Sequence, residues 1–229
     1  MTSAAIIGAS GGIGGALADA IEEEGAFDRV WRLGRSLPDR LDLEDEASIA
    51  AAAARVAAGP APSLVVVATG LLHEGERGPE KAMKELDAAW LARNFAINAI
   101  GPALVAKHFL PLMAATGTPV FAALSARVGS ITDNRLGGWY GYRASKAALN
   151  QLIATLSIEQ RRRNDRAIVV GLHPGTVDTP LSRPFQGNVA PGQLFDASRA
   201  AVQLLDLIDG LRPPDSGKLF AWDGAEIKP

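Results

Sequence analysis

Apolar positions along the chain fall into two alternating rhythms. Short runs such as Ala4 to Ile7, "RVWRLG" (Arg29 to Gly34), "SLVVVATG" (Ser63 to Gly70), "VFAAL" (Val120 to Leu124) and "AIVVGL" (Ala167 to Leu172) predict strands. The β-branched run from Ser63 reads as a central strand buried on both faces. "DRLDL" (Asp39 to Leu43) predicts a short third strand and "KLFAW" (Lys218 to Trp222) a last one. Between these runs the apolar residues recur at helical spacing, as Ile13, Leu17, Ala20 and Ile21 do. Further helices are predicted for "EASIAAAAARVAA", for about 86–115 with a break near Gly101-Pro102, from Trp139 to Arg161-Arg162-Arg163, and for about 197–209.

Strands alternating with helices imply one α/β domain over residues 1–229, a parallel sheet with helices on both faces. Pro174 to Pro191 carries four prolines and two glycines and reads as an irregular excursion of the lid type. Hydrophobic residues at 48% and charged residues at 21% permit a large core. The net charge of −2 gives no bulk attraction to nucleic acid or to an anionic membrane. There are no cysteines, which removes thiolate nucleophiles and Cys-ligated zinc. His73, His108 and His173 lack metal-ligand spacing, so no metal site is expected. The first residues lack the basic region of a signal peptide, and the longest apolar run, Leu64 to Leu72, is too short to span a bilayer. The expectation is a soluble cytoplasmic protein.

"IIGASGGIG" (Ile6 to Gly14) places four glycines in seven positions between the first strand and the first helix. In that context backbone N–H groups and the helix dipole make an anion site. Gly8 permits a tight turn, Gly12 lets the backbone approach a pyrophosphate, and Gly14 lets helix pack on strand. The spacing is wider than the usual Gly-x-Gly-x-x-Gly of dinucleotide sites. The second strand ends at Gly34-Arg35-Ser36 with no acid at its tip. A carboxylate there would hold a ribose 2′-hydroxyl, whereas Arg35 and Ser36 suit a 2′-phosphate, so NADP is expected over NAD.

In "GGWYGYRASKAALNQL", Tyr142 and Lys146 stand four apart on one helix face. A free phenol titrates near 10, and a neighbouring ammonium is expected to lower that value. Tyr142 could then donate a proton to a carbonyl oxygen while hydride reaches its carbon, or act as base in reverse. The bland reading of this spacing is a helix pair without a role.

The chain resembles the short-chain dehydrogenase/reductase family over essentially its whole length. The carriers are "GASGGIG", "DLEDEAS", "VATG", "NFAINAIGP", "YRASK", "HPGTVDT" and "WDG", in order. "LSARVGS" and "GGWYGYRASKAALN" further resemble the C-factor-like and sniffer-like carbonyl reductase branch. The resemblance implies a Rossmann-type doubly wound sheet and an NADP(H)-dependent oxidoreductase interconverting a carbonyl and an alcohol. It assigns Tyr142 as acid/base, Lys146 to the nicotinamide ribose, and Asn98 to a water in a proton relay. It assigns Asp42 to the adenine amino group beside Leu43. Thr179 falls to the carboxamide, and Pro174, Gly175 and Val177 to the loop bordering that ring. Ser10, Gly11, Ile13, Ala68, Thr69 and Gly70 complete the expected cofactor set.

Departures accompany the likeness. Ile7 replaces the usual threonine, and Val67-Ala68-Thr69-Gly70 replaces Asn-Asn-Ala-Gly. Family members place a serine after the fifth strand to hold the substrate carbonyl. Counting back from Gly129 puts that position at Ala126, and counting along the strand puts it at Ser125. Ser125 is taken here, with Ser130 as the outside candidate. The alternative function is a non-catalytic dinucleotide-binding signalling or sensor protein of the same fold. Relatives of this kind imply a homodimer or homotetramer packing residues 90–115 and 140–163 between subunits, acting on a small carbonyl or alcohol.

Overall fold

The computed structural model describes residues 1–229, apart from the side chain of Asn188. An eight-stranded sheet contains β1 (Ser3–Ile7), β2 (Arg29–Gly34), β3 (Asp39–Arg40), β4 (Pro62–Val67), β5 (Val120–Leu124), β6 (Ile168–His173), β9 (Leu219–Ala221) and β10 (Glu226–Ile227). Its order is β10-β9-β6-β5-β4-β1-β2-β3. The described pairings are parallel except for β10 on β9, a two-residue edge the apolar pattern did not reveal. β3 is also shorter than expected and stops at Arg40. A second, two-stranded sheet pairs β7 (Thr176–Val177) with β8 (Leu194–Phe195) inside and just after the Pro174 to Pro191 excursion.

Helices cover both faces. α1 (Gly12–Glu24) and α6 (Ala197–Gly210) bury Leu17, Ile21, Leu204 and Ile208 against Ile6, Val66, Ala122 and Val170. α2 (Glu46–Ala57), α4 (Gly101–Phe109) and α5 (Tyr140–Arg163) bury Ile49, Phe109, Leu149 and Ile153 against Val65, Phe121 and Val169 on the other face. Asp45 and Asp196 accept from Ala47 N–H and Arg199 N–H and so cap α2 and α6. The sheet's burial on both sides explains its near-continuous Val, Ile and Leu runs.

The break foreseen at Gly101-Pro102 is a change of winding. α3 (Ala88–Phe95) passes into a π-turn at Ala96–Ile100 and on into α4. Pro102 has no N–H for the Asn98 carbonyl, so the preceding turn widens while the axis continues. The joined helix, Ala88–Leu112, is long and apolar enough to cross a membrane, with mean hydropathy 1.3. Here it packs on α5 and buries Trp90, Asn94, Asn98, Val105 and Phe109. Strand order reverses between β1 and β4, so the crevice at their carboxyl ends is where such a sheet holds ligands.

Candidate active site

The glycines after β1 form a close-packed turn. Gly8 has φ +88, and a Cβ there would stand 2.7 Å from the Ala68 carbonyl oxygen. A Cβ on Gly14 would meet the Gly8 carbonyl oxygen at 2.3 Å, which lets α1 rest directly on the turn. At Gly12 the neighbour is Thr179, whose Cγ2 would lie 2.8 Å from an added Cβ. Gly14→Ala is accordingly expected to destabilise the fold by about 2 kcal/mol or more, read as a fall in thermal midpoint.

No side chain caps α1, whose N-cap is Gly11 in extended conformation. The amides of its first turn therefore remain open toward the crevice. A cleft of about 390 Å³ begins there, lined by Gly8, Ser10, Gly11, Arg35, Ser36, Asp42, Leu43, Ala68, Thr69 and Gly70 among others. Arg35 and Ser36 are exposed on its rim, and among the described residues Arg35 has no ion-pair partner. The Thr69 hydroxyl is buried without a hydrogen-bond partner. Open amides, a free guanidinium and an orphaned hydroxyl around one cleft fit a phosphate-bearing dinucleotide.

The Asp42 carboxylate accepts from the Glu44 amide and lies 3.6 Å from Arg40. Gly101 permits α4 to approach Leu43, since a Cβ there would stand 2.8 Å from Leu43 Cβ. Across the cleft Arg93 pairs with both Glu44 and Glu74, which holds the Glu74 carboxyl below its ordinary value. Sequence reasoning missed this clasp because its members are far apart in the chain.

The cleft ends at Gly70, and from there the chemical groups are near. A Cβ at Gly70 would lie 3.7 Å from Asn98 Oδ1 and 3.8 Å from Lys146 Nζ. Asn98 accepts from the Leu71 amide at 2.7 Å and donates to the Leu71 carbonyl at 2.8 Å and to Ser145 Oγ at 3.1 Å. Its amide braces the β4 loop against α5 as well as standing beside Lys146. Lys146 is buried and donates to the Leu124 carbonyl at 2.8 Å, with Nζ 5.8 Å from the Tyr142 ring centre.

Burial dominates the titration of both groups. It pushes the Tyr142 phenol up to about 12 and the Lys146 ammonium down to about 7. The lowering of the phenol expected from the Tyr-x-x-x-Lys spacing is thus absent in the free protein. Desolvation disfavours the charged form of each, leaving a protonated phenol beside an amine near half-protonation at neutral pH.

The serine expectation requires correction. Ser125 Oγ donates to Asn150 Oδ1 at 2.6 Å, on the α5 side of β5. Ala126 follows in extended backbone, φ −149 and ψ 145, so its side chain points oppositely and packs with Tyr142 and Leu72. Ser130 is turned to the chain's last residues, donating to the Lys228 carbonyl at 2.5 Å. The residue reached by the count back from Gly129, Ala126, is the one that shares the Tyr142 cluster.

The remaining wall is apolar and aromatic. Trp139 stands edge-on to Tyr142 at 6.2 Å and to Phe185 at 5.2 Å. Leu181 and Phe185, from the Pro174 to Pro191 excursion, close over this face, consistent with its reading as a cover. Pro174 and Gly175 lead out of β6, with Gly175 at φ +76 against Phe195 and Trp222, and Val177 is buried in β7. His173 is held neutral by burial, its value lowered to about 4.

Trp139 has φ 53, a left-handed conformation that costs a bulky residue about 1–3 kcal/mol. Glu80 sustains it. The Glu80 carbonyl accepts from the Trp139 amide at 2.5 Å, and its buried carboxylate accepts from the Gly141 amide at 3.1 Å. A residue about 60 positions upstream thus fixes the start of the helix bearing Tyr142. No local motif surrounds Glu80, so the sequence carried no signal of it.

Among known proteins, residues 2–189 match the profile of the short chain dehydrogenase family. The C-signal protein of Myxococcus xanthus is 37% identical over 155 residues, 68% of this chain and 88% of its own. The 1-hydroxy-2-glutathionyl-2-methyl-3-butene dehydrogenase of a Rhodococcus species is 30% identical over the full length of both. Two solved structures share the fold. An NADPH-bound carbonyl reductase from chicken fatty liver has TM-score 0.83 at 24% identity, covering 100% of this chain and 94% of its own. The carbonyl reductase Sniffer of D. melanogaster has TM-score 0.81 at 23% identity, covering 100% and 99%.

Proposed function

The chain belongs to the short-chain dehydrogenase/reductase family, and from that premise we propose that it is an NADPH-dependent carbonyl reductase. The observation that carries this reading is the Tyr142 phenol, with no hydrogen-bond partner among the described residues, next to buried Lys146 where the glycine cleft ends. A reduced nicotinamide, when bound, supplies hydride to a carbonyl carbon. Tyr142 donates its proton to the carbonyl oxygen, and its high affinity for that proton keeps the phenol loaded at neutral pH. Lys146, with a value near 7, is suited to return a proton to the phenolate. Leu181, Phe185 and Trp139 exclude water from the reacting centre.

The cofactor choice rests on Arg35 and Ser36 at the rim, with NADPH in one solved relative as further support. Titration with NADPH and separately NADH, followed by quenching of the four tryptophans, tests it. NADPH is expected to bind about 100-fold more tightly, and Arg35→Asp to abolish or reverse that preference. Equal affinities in the wild type would contradict the assignment. A second reading, a dinucleotide-binding signalling protein without turnover, is favoured by one observation, the alanine at position 126.

A further inference from the structure

Tyr142 belongs to an apolar cluster with Leu72, Ala126, Val128, Trp139, Leu181 and Phe185, and Trp139 stands edge-on to its ring. Besides the Tyr142 hydroxyl, the Trp139 indole N–H is the one donor in that apolar cluster, and Lys146 Nζ, 5.8 Å from the ring centre, donates to the Leu124 carbonyl. The neighbouring hydroxyls are engaged elsewhere, Ser125 with Asn150 and Ser130 with Lys228. Of these hydroxyls, that of Tyr142 alone has no partner among the described residues, and residue 126 of its cluster contributes a methyl group.

We propose that Ala126 is the specificity-determining residue of this site. It leaves Tyr142 alone to hold the carbonyl oxygen, and so confines turnover to flat aromatic carbonyls that are already strongly electrophilic. The proposal rests on the carbonyl reductase reading above.

The chemistry follows from charge development. As hydride from a reduced nicotinamide adds to the carbonyl carbon, the C=O π pair moves onto oxygen. The oxygen then takes the Tyr142 proton, which yields an alcohol, an oxidised nicotinamide and a phenolate to be reprotonated. A preorganised donor to the developing oxyanion contributes about 10²–10³-fold in rate. Where the protein supplies one donor in place of two, electron withdrawal within the substrate must supply the rest. Trp139 and Phe185, edge-on at 5.2 Å, make an aromatic corner that suits a planar ring.

The test is a series of para-substituted benzaldehydes, from nitro to methoxy, with saturating NADPH. Wild type, Ala126→Ser and Trp139→Phe are compared. For wild type, kcat/KM is expected to fall by about 10³-fold along the series. Ala126→Ser should raise the methoxy member about 10-fold or more, and the nitro member less than about 3-fold. Trp139→Phe should keep the steep ordering. A shallow wild-type series, no selective gain in Ala126→Ser, or a flattened nitro-to-methoxy ordering in Trp139→Phe, whatever its absolute rate, would each overturn the proposal. A wild type that binds NADPH yet reduces no member overturns the reductase reading itself.

A second readout needs no cofactor and no turnover. The chain has two tyrosines, so a Tyr140→Phe background isolates the Tyr142 phenol for ultraviolet titration. The hydroxyl introduced by Ala126→Ser should stabilise the phenolate and move its ionisation to lower pH. An unchanged titration would show that position 126 does not reach the phenol, and would overturn the assignment.

Discussion

Tyr142→Phe is expected to lower kcat for carbonyl reduction by about 10³-fold while leaving NADPH affinity within about 3-fold of wild type. The substitution keeps the ring among Leu72, Trp139 and Phe185 and removes the one hydroxyl facing the substrate. Its hydroxyl has no hydrogen-bond partner among the described residues, so the fold loses no bond and stability should hardly change. Steady-state kinetics with a paired tryptophan-quenching titration separates the two effects. Loss of binding along with rate would mean that the phenol belongs to the cofactor site rather than to proton transfer.

Lys146→Met is expected to abolish turnover and yet stabilise the free protein at low pH. Burial lowers the folded-state value of Lys146 to about 7, below the roughly 10.4 of an unfolded lysine. Between those values the folded chain binds fewer protons than the unfolded one, so this group's contribution to stability rises with pH across the window. Below about pH 7 the full cost of a charged, buried ammonium applies, partly offset by its bond to the Leu124 carbonyl. Methionine removes that cost and loses that bond, for a net gain of about 2 kcal/mol near pH 6, or roughly 4–8 °C in thermal midpoint. The advantage should shrink toward pH 10, as the wild-type lysine is neutral in both states. Thermal melts of both proteins across this range check it. A variant less stable than wild type at every pH would contradict the burial argument.

Tyr142 acts with the opposite sign. Its folded value, raised to about 12, exceeds that of a free phenol, so the folded chain binds more protons between about pH 10 and 12. Its stabilising contribution is lost as pH rises through that interval. A site built from these two groups is costly to fold at both ends of the scale. Such cost is common where function needs buried, unpaired chemistry.

What could be read in the sequence follows from whether the signal is local. The two-face burial of β1, β4, β5 and β6 forces continuous apolar runs, and those runs gave the sheet and its strand limits to within a few residues. Gly8 and Gly14 are glycines because a Cβ would strike Ala68 and Gly8 itself, a constraint written into consecutive positions. Tyr142 and Lys146 are one helical turn apart, so they too were legible. Short edges such as β10 were not, because two residues carry no periodicity. Glu80 acts on Trp139 and Gly141 across a long stretch of chain, and Arg93 gathers Glu44 and Glu74 from two other loops. Ser125 was misread because composition cannot show which side of a strand end a hydroxyl faces. That depends on the extended backbone at Ala126 and on Asn150 waiting across the interface.

The claim that Tyr142 completes a hydride transfer to a carbonyl is tested most directly by isotope tracing. The protein would be incubated with NADPH deuterated at the transferable C4 position and an electron-poor aromatic aldehyde, and the product analysed by mass spectrometry. A single deuterium at the carbinol carbon for wild type, formed about 10³-fold more slowly by Tyr142→Phe under identical conditions, is the predicted result. NADPH bound tightly by wild type, with no deuterated alcohol formed, would contradict the account.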